Sequence, residues 1–295
     1  MLIMEKYGIG ICIGLLLLAG CGKPTTSKST VTGNKPRVVS LAPNLTELIC
    51  SVGGADRLVG RTTYCNTPAN IVTNIPIIGG FGDPSLEQLA AVTPSLILDV
   101  DLADDTIGPR LDSLGIRRER IICRTMDDIP VAMRRIGQLL QCENTANQVA
   151  DRFEQQVRKM RQQSRPKQKP KKVLAIVWSD PMVTIGTNTF LSELINLAGG
   201  QNIGDEVDKD YFNISTEWVV ARNPDVILCF YMSNTNDNCR DIRESPGLNA
   251  VNAVRNQHVY NRFNFDAILR PGPRAMEGLE QLQRAINPPT KEPGP

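Results

Sequence analysis

The sequence predicts an α/β protein built as two α/β lobes with mainly parallel sheets, joined by one long connecting α-helix, with a ligand cleft between the lobes. Three observations carry this. From Arg37 short β-branched runs alternate with helical patterns, the alternation restarts after residue 171, and a single long amphipathic stretch separates the halves. With 295 residues, 41% of them hydrophobic, the chain has apolar material for one large core or two ordinary ones.

The elements follow in order. Val38-Val39-Ser40-Leu41 reads as a strand and Asn44 to Val52 as a helix capped by Asn44. Leu96-Ile97-Leu98 and Ile121-Ile122-Cys123 are expected strands, with a helix ending at Leu114-Gly115 between them. In Asn144 to Gln163, Val149, Phe153, Val157 and Met160 recur at steps of four, four and three, which makes one amphipathic helix closed off by Pro166 and Pro170. The second half gives a strand from Val173 to Trp178, a helix from Thr189 to Ala198 ended by Gly199-Gly200, and a strand from Val226 to Tyr231. The resulting partition is an N-terminal lobe over 37–143, a connecting helix over 144–165, a C-terminal lobe over 171–287 and a disordered tail over 288–295.

The N-terminus reads as an address. Residues 1–21 run apolar from Tyr7 to Ala19, too short for a spanning helix, and end at Leu18-Ala19-Gly20-Cys21. Small residues before a Cys resemble the bacterial lipobox, so Cys21 is the expected lipidation site and residues 1–20 the expected lipoprotein signal peptide. Residues 21–36, rich in Thr, Ser, Lys, Gly and Pro, then form a flexible tether. The expected location is extracytoplasmic, lipid-anchored to a bacterial membrane. Export permits disulfides, and the six body cysteines, Cys50, Cys65, Cys123, Cys142, Cys229 and Cys239, allow 15 pairings, of which Cys229 with Cys239 is the most plausible local bridge. Cys50, in an apolar helical stretch, reads as buried.

Charge and motif content narrow the function. The formal net charge is +2, and the basic residues concentrate in the tether and in Arg158 to Lys172, which leaves the lobes acidic and gives no drive toward nucleic acid. Arg158 to Lys172 reads as a solvated helix end and loop. The single histidine, His258, excludes His-rich metal sites, and neither a metal site nor a cofactor is expected. Gly-x-Ser-x-Gly, Walker and Cys-x-x-Cys motifs are absent, so an enzyme is not expected.

An internal repeat relates the lobes. Ser85 to Leu98 aligns without a gap to Ser215 to Leu228, with Ser, Glu, Ala, Pro, Ile and Leu coinciding. In each copy Ser caps a helix, Glu87 or Glu217 occupies its first turn where the dipole favours negative charge, and Pro punctuates before a buried strand. Glu87 and Glu217 read either as local helix-start carboxylates or as a symmetric pair with a shared task. Trp178, closing the first strand of the second lobe, is expected at the cleft mouth, because ligands gather beyond strand carboxyl ends.

Lipobox, two lobes on one helix and paired Ser-x-Glu helix starts together resemble the ABC-importer substrate-binding proteins that serve cobalamin, ferric siderophores and haem. The resemblance covers about residues 36–287. Gly60 to Pro68, followed by Gly79 to Glu87, is most similar to the cobalamin-binding branch, whereas Leu197 to Ile203 is shared by the whole class. The resemblance implies a corrinoid held in the cleft by Tyr64, Phe81 and Tyr211, where the family uses Tyr or Trp, with Asp266 reaching a polar edge of the ligand. It also implies a monomer delivering ligand to the permease transmembrane subunits, docked through Glu87 and Glu217. Two departures stand out: Asn66-Thr67 where Asp-Tyr is common, and Val100 where a well-known relative has Trp. A siderophore needs Arg61 or Arg270, and haem an axial Tyr64 or His258; both ligands remain alternatives, as does a surface lipoprotein that binds a protein partner. Arg274 is expected to anchor the last helix.

Overall fold

The computed structural model describes residues 35–100, 107–163, 169–231 and 239–288. The expected signal peptide, Cys21 and nearly all of the tether lie outside these residues, as do Pro166 and positions 289–295 of the expected tail. The first sheet has four parallel strands in the order Leu58–Arg61, Val38–Ser40, Leu96–Asp99, Arg117–Arg120. In the second, Lys171–Ser179, Val226–Cys229 and Val259–Tyr260 run parallel, Gly200–Asn202 joins Lys171–Ser179 in parallel, and Met182–Ile185 and Tyr211–Asn213 complete it antiparallel. The two-lobe α/β expectation is met, and the helix between the sheets runs Glu143–Gln163.

Period-two burial sorts the strand side chains. Val38, Leu96, Leu98, Val173, Ala175, Val226 and Leu228 enter one core cluster that also takes Phe153 and Val157 of the connecting helix and residues from both lobes. Their neighbours turn to separate clusters, Val39 and Ile97 in the first lobe, Leu174, Ile176 and Ile227 in the second. The lobes thus share one continuous core, and each keeps a smaller one on its outer face. The connecting helix packs on Asp128–Leu139, where Gly137 is required: a Cβ there would meet the Ala146 methyl at 2.2 Å.

The repeat is visible in three dimensions. Ser85 Oγ accepts from the Gln88 N–H and Ser215 Oγ from the Trp218 N–H, each at 3.3 Å, and both helices end on a left-handed residue, Thr93 at φ 43° and Asn223 at φ 46°.

Two local expectations are corrected. Asn44 is not a cap: the helix is Pro43–Ser51, Ala42 precedes it without a side-chain bond, and Asn44 Nδ2 instead reaches the Pro271 carbonyl at 3.4 Å. A Pro suits the first helical turn, which moves the start one residue back. The strand expected at Ile121–Cys123 lies just upstream at Arg117–Arg120, a charged run suited to a sheet edge, while Ile121 turns its side chain into the shared core.

Candidate functional site

Two turns and the start of a strand deliver aromatic rings to one place. After Leu58–Arg61 the chain tightens through Cys65 N–H to Thr62 O, 3.1 Å, and Asn66 N–H to Tyr64 O, 3.0 Å, with Cys65 buried and Tyr64 at the apex. Gly79–Gly80 and Asp83–Pro84 form a minimal antiparallel hairpin whose turn is Phe81 and Gly82, the latter at φ 80°, a conformation natural to glycine. Tyr211 opens a strand opposite Ile185; its neighbour Phe212 packs edge-on to Trp218, so alternation sends Tyr211 the other way.

All three rings line a cavity of ≈ 830 Å³ between the lobes, together with Val100, Ile122, Cys123 and Arg124 from the first lobe and Phe190, Asp210, Leu269 and Arg270 from the second. Tyr64, Phe81 and Tyr211 are 63%, 50% and 60% exposed, although soluble proteins ordinarily bury such rings. The volume falls in the range of sites for sizeable organic ligands.

The charged groups that the described residues place at the cavity are paired. Arg270 Nη1 contacts Asn66 Oδ1 at 2.9 Å and Glu47 Oε1 at 3.3 Å, and its Nη2 meets Asp266 Oδ1 at 2.7 Å. Arg124 and Asp210 face each other at 3.5 Å from opposite lobes. Burial pushes the Cys123 thiol up to about 12, with Asp128 adding to it, so the group meets the cleft neutral. Although Tyr211 is 60% exposed, partial enclosure of its phenol by the cleft, and then Asp210, raises that group above its ordinary value.

Of the six residues expected at the ligand, the structure brings Tyr64, Phe81, Tyr211 and Arg270 together on this cavity. Trp178 and Asp266 lie outside its lining: Trp178 is exposed with Nε1 donating to the Asp180 carbonyl, and Asp266 is spent on Arg270. Arg61 is turned inward, its Nε on the Val72 carbonyl at 2.8 Å. His258 sits at the second sheet's edge against the Asp225 carbonyl. Glu87 and Glu217 are exposed and away from the cavity, and the Ser215 hydroxyl holds the Glu217 carboxyl below its usual range.

Sequence reasoning missed Glu47. Its carboxylate is 3% exposed and takes two bonds of 2.8 Å from Arg274 besides the Arg270 contact, tying the first lobe's opening helix to the second lobe. A carboxylate beside Leu45, Leu48 and Ile49 on an apolar helix was the available signal, since a buried charge demands a partner.

Two α/β lobes on one helix, with an apolar, charge-balanced cavity between them and ring side chains presented from both sides, define a substrate-binding protein. The chain belongs to the family described as Periplasmic binding protein, which matches residues 38–262. It is similar to the ABC transporter substrate-binding lipoprotein YvrC of Bacillus subtilis (strain 168), 25% identical over 97% of this chain and 99% of that protein. It is also similar to the high-affinity heme uptake system protein IsdE of Staphylococcus aureus (strain MRSA252), 22% identical over 87% of this chain and 88% of that one. Among solved structures, the periplasmic vitamin B12 binding protein BtuF of Vibrio cholerae shares the fold with a TM-score of 0.73 at 23% identity, over 85% of this chain and 96% of that one.

Proposed function

We propose that this protein is the extracytoplasmic substrate-binding lipoprotein of an ABC importer and that it captures a corrinoid, cobalamin or a close analogue, one to one in the interlobe cavity. The observation that carries the ligand class is the set of three exposed rings, Tyr64, Phe81 and Tyr211, converging on a cavity whose charges are internally balanced. A large, flat, mostly uncharged ring system is held by contact area and stacking. A ferric siderophore asks for uncommitted guanidinium groups, yet Arg270 is divided among Asn66, Glu47 and Asp266. Ferric haem asks for an axial phenolate or imidazole; of the two groups expected for it, His258 is not at the cavity, which leaves Tyr64 as the haem alternative's ligand.

The lipobox ending at Cys21 supports anchoring of the protein to a bacterial membrane by lipid, with residues 22–36 as the tether. The equivalent, exposed placement of Glu87 and Glu217 supports a role as the contacts to the two permease transmembrane subunits. The protein acts as a monomer in this scheme. Titration of the purified protein with cyanocobalamin, haemin and a ferric siderophore tests the ligand: saturable one-to-one heat with cyanocobalamin alone is expected, and haemin binding with a Tyr64-dependent Soret shift overturns the corrinoid assignment.

A further inference from the structure

A second cavity of ≈ 570 Å³ lies between the edge strand Val259–Tyr260 and the last helix, Ala275–Ile286, and shares no lining residue with the cleft. Arg243, Arg262 and Arg284 line it, and among the described residues no Asp or Glu does. Arg243 is fixed by an Nη2 bond of 3.0 Å to the Val259 carbonyl. Arg262 and Arg284 are exposed, and among the described residues neither has an ion-pair partner. Unlike Arg262 and Arg284, Arg118 sits against Asp99 and Asp112, and Arg134 against Asp151 and Glu154. Arg262 and Arg284 present two guanidinium groups without a carboxylate on one concave surface, and an anion with several oxygens matches their forks.

We propose that this cavity is a second binding site, for a phosphoester oxyanion carried on a compact organic group. The oxyanion sits among Arg243, Arg262 and Arg284, and the organic part lies on Phe263 and Tyr260. Both a soluble phosphorylated compound and a phospholipid headgroup present this chemistry. The site is independent of the corrinoid assignment, because the two cavities have separate walls.

The test compares the full chain with Arg262→Ala plus Arg284→Ala in two assays: calorimetric titration with glycerol 3-phosphate, and flotation on phosphatidylglycerol against phosphatidylcholine vesicles. The lipid anchor does not distinguish the headgroups, and the basic tether is the same in both proteins, so only the difference between them reports this site. A loss of at least tenfold in glycerol 3-phosphate affinity supports the site with a soluble ligand. A reduced preference for phosphatidylglycerol without glycerol 3-phosphate binding supports it with the headgroup. Arg262→Lys plus Arg284→Lys, which keeps charge and loses the fork, is expected to fall between. If the wild-type protein binds no glycerol 3-phosphate and the alanine variant keeps the full phosphatidylglycerol preference, the proposal is overturned. Unchanged melting of the variants shows that any loss is local.

Discussion

Glu47 and Arg274 form a two-pronged ion pair across the lobes, Oε2 to Nε and Oε1 to Nη2 at 2.8 Å each, with the carboxylate 3% exposed. Removing one partner of such a pair leaves uncompensated charge in a site that excludes water. Glu47→Ala is therefore expected to destabilise the fold by about 3 kcal/mol, while Glu47→Gln, which keeps one acceptor, costs less. Denaturant unfolding measures both. An unchanged midpoint for the alanine variant means the pair contributes nothing to holding the lobes.

The ring contacts make a separate prediction. If Tyr64 and Tyr211 stack on the ligand from opposite lobes, changing both to Ala weakens corrinoid binding by about 2 to 4 kcal/mol without lowering stability, since both side chains are more than half exposed. Calorimetry on the double variant decides; wild-type affinity there moves the ligand off these rings.

Glu87 and Glu217 separate docking from binding. Both are exposed and outside the cavity, so reversing both to Arg is expected to leave corrinoid affinity as it is and to abolish uptake in cells lacking the native protein. Normal transport by that variant removes the docking role, and loss of ligand binding places these carboxylates in the site.

Cys229 and Cys239 are bonded, ten positions apart, whereas Cys50, Cys65, Cys123 and Cys142 are free thiols. Closing a loop of this length restricts the unfolded chain by about 2 to 3 kcal/mol in the chain-entropy account. Changing both cysteines to Ser is expected to lower stability by that order, and alkylation of the denatured, unreduced protein with mass mapping is expected to spare only this pair among the six body cysteines. Alkylation of Cys229 under denaturing, non-reducing conditions would falsify the bridge.

Glu193 gives stability a pH dependence. Burial raises its carboxyl above the ordinary value, and the bonds from the Met126 N–H and Arg161 only partly offset this; Asp127 adds to the rise. The folded protein holds this proton more tightly than the unfolded chain, so the group's stabilising contribution is complete below the unfolded value and is lost as pH rises through the folded one. As pH rises through and above the ordinary carboxyl range the wild-type protein is expected to lose stability relative to Glu193→Gln. Parallel pH profiles for the two proteins contradict the assignment.

What the sequence determined by itself was everything encoded within a few residues. Ser85 and Ser215 sit three positions before the N–H groups they cap, and the steps among Val149, Phe153 and Val157 describe one face of one helix. The aromatic residues Tyr64, Phe81 and Tyr211 were legible only through the resemblance to the importer family; the turns and the strand register that aim them at one cavity belong to the folded chain. The tertiary structure decided which charges meet. Glu47 finds Arg274 across 227 positions, Asp266 is taken up by Arg270, and Arg61 folds back onto its own lobe. A helical period or a cap is set by backbone geometry that repeats every few residues. An ion pair between lobes acquires its energy only after the shared core has brought the two surfaces together and excluded water, and no local pattern in the chain records that event.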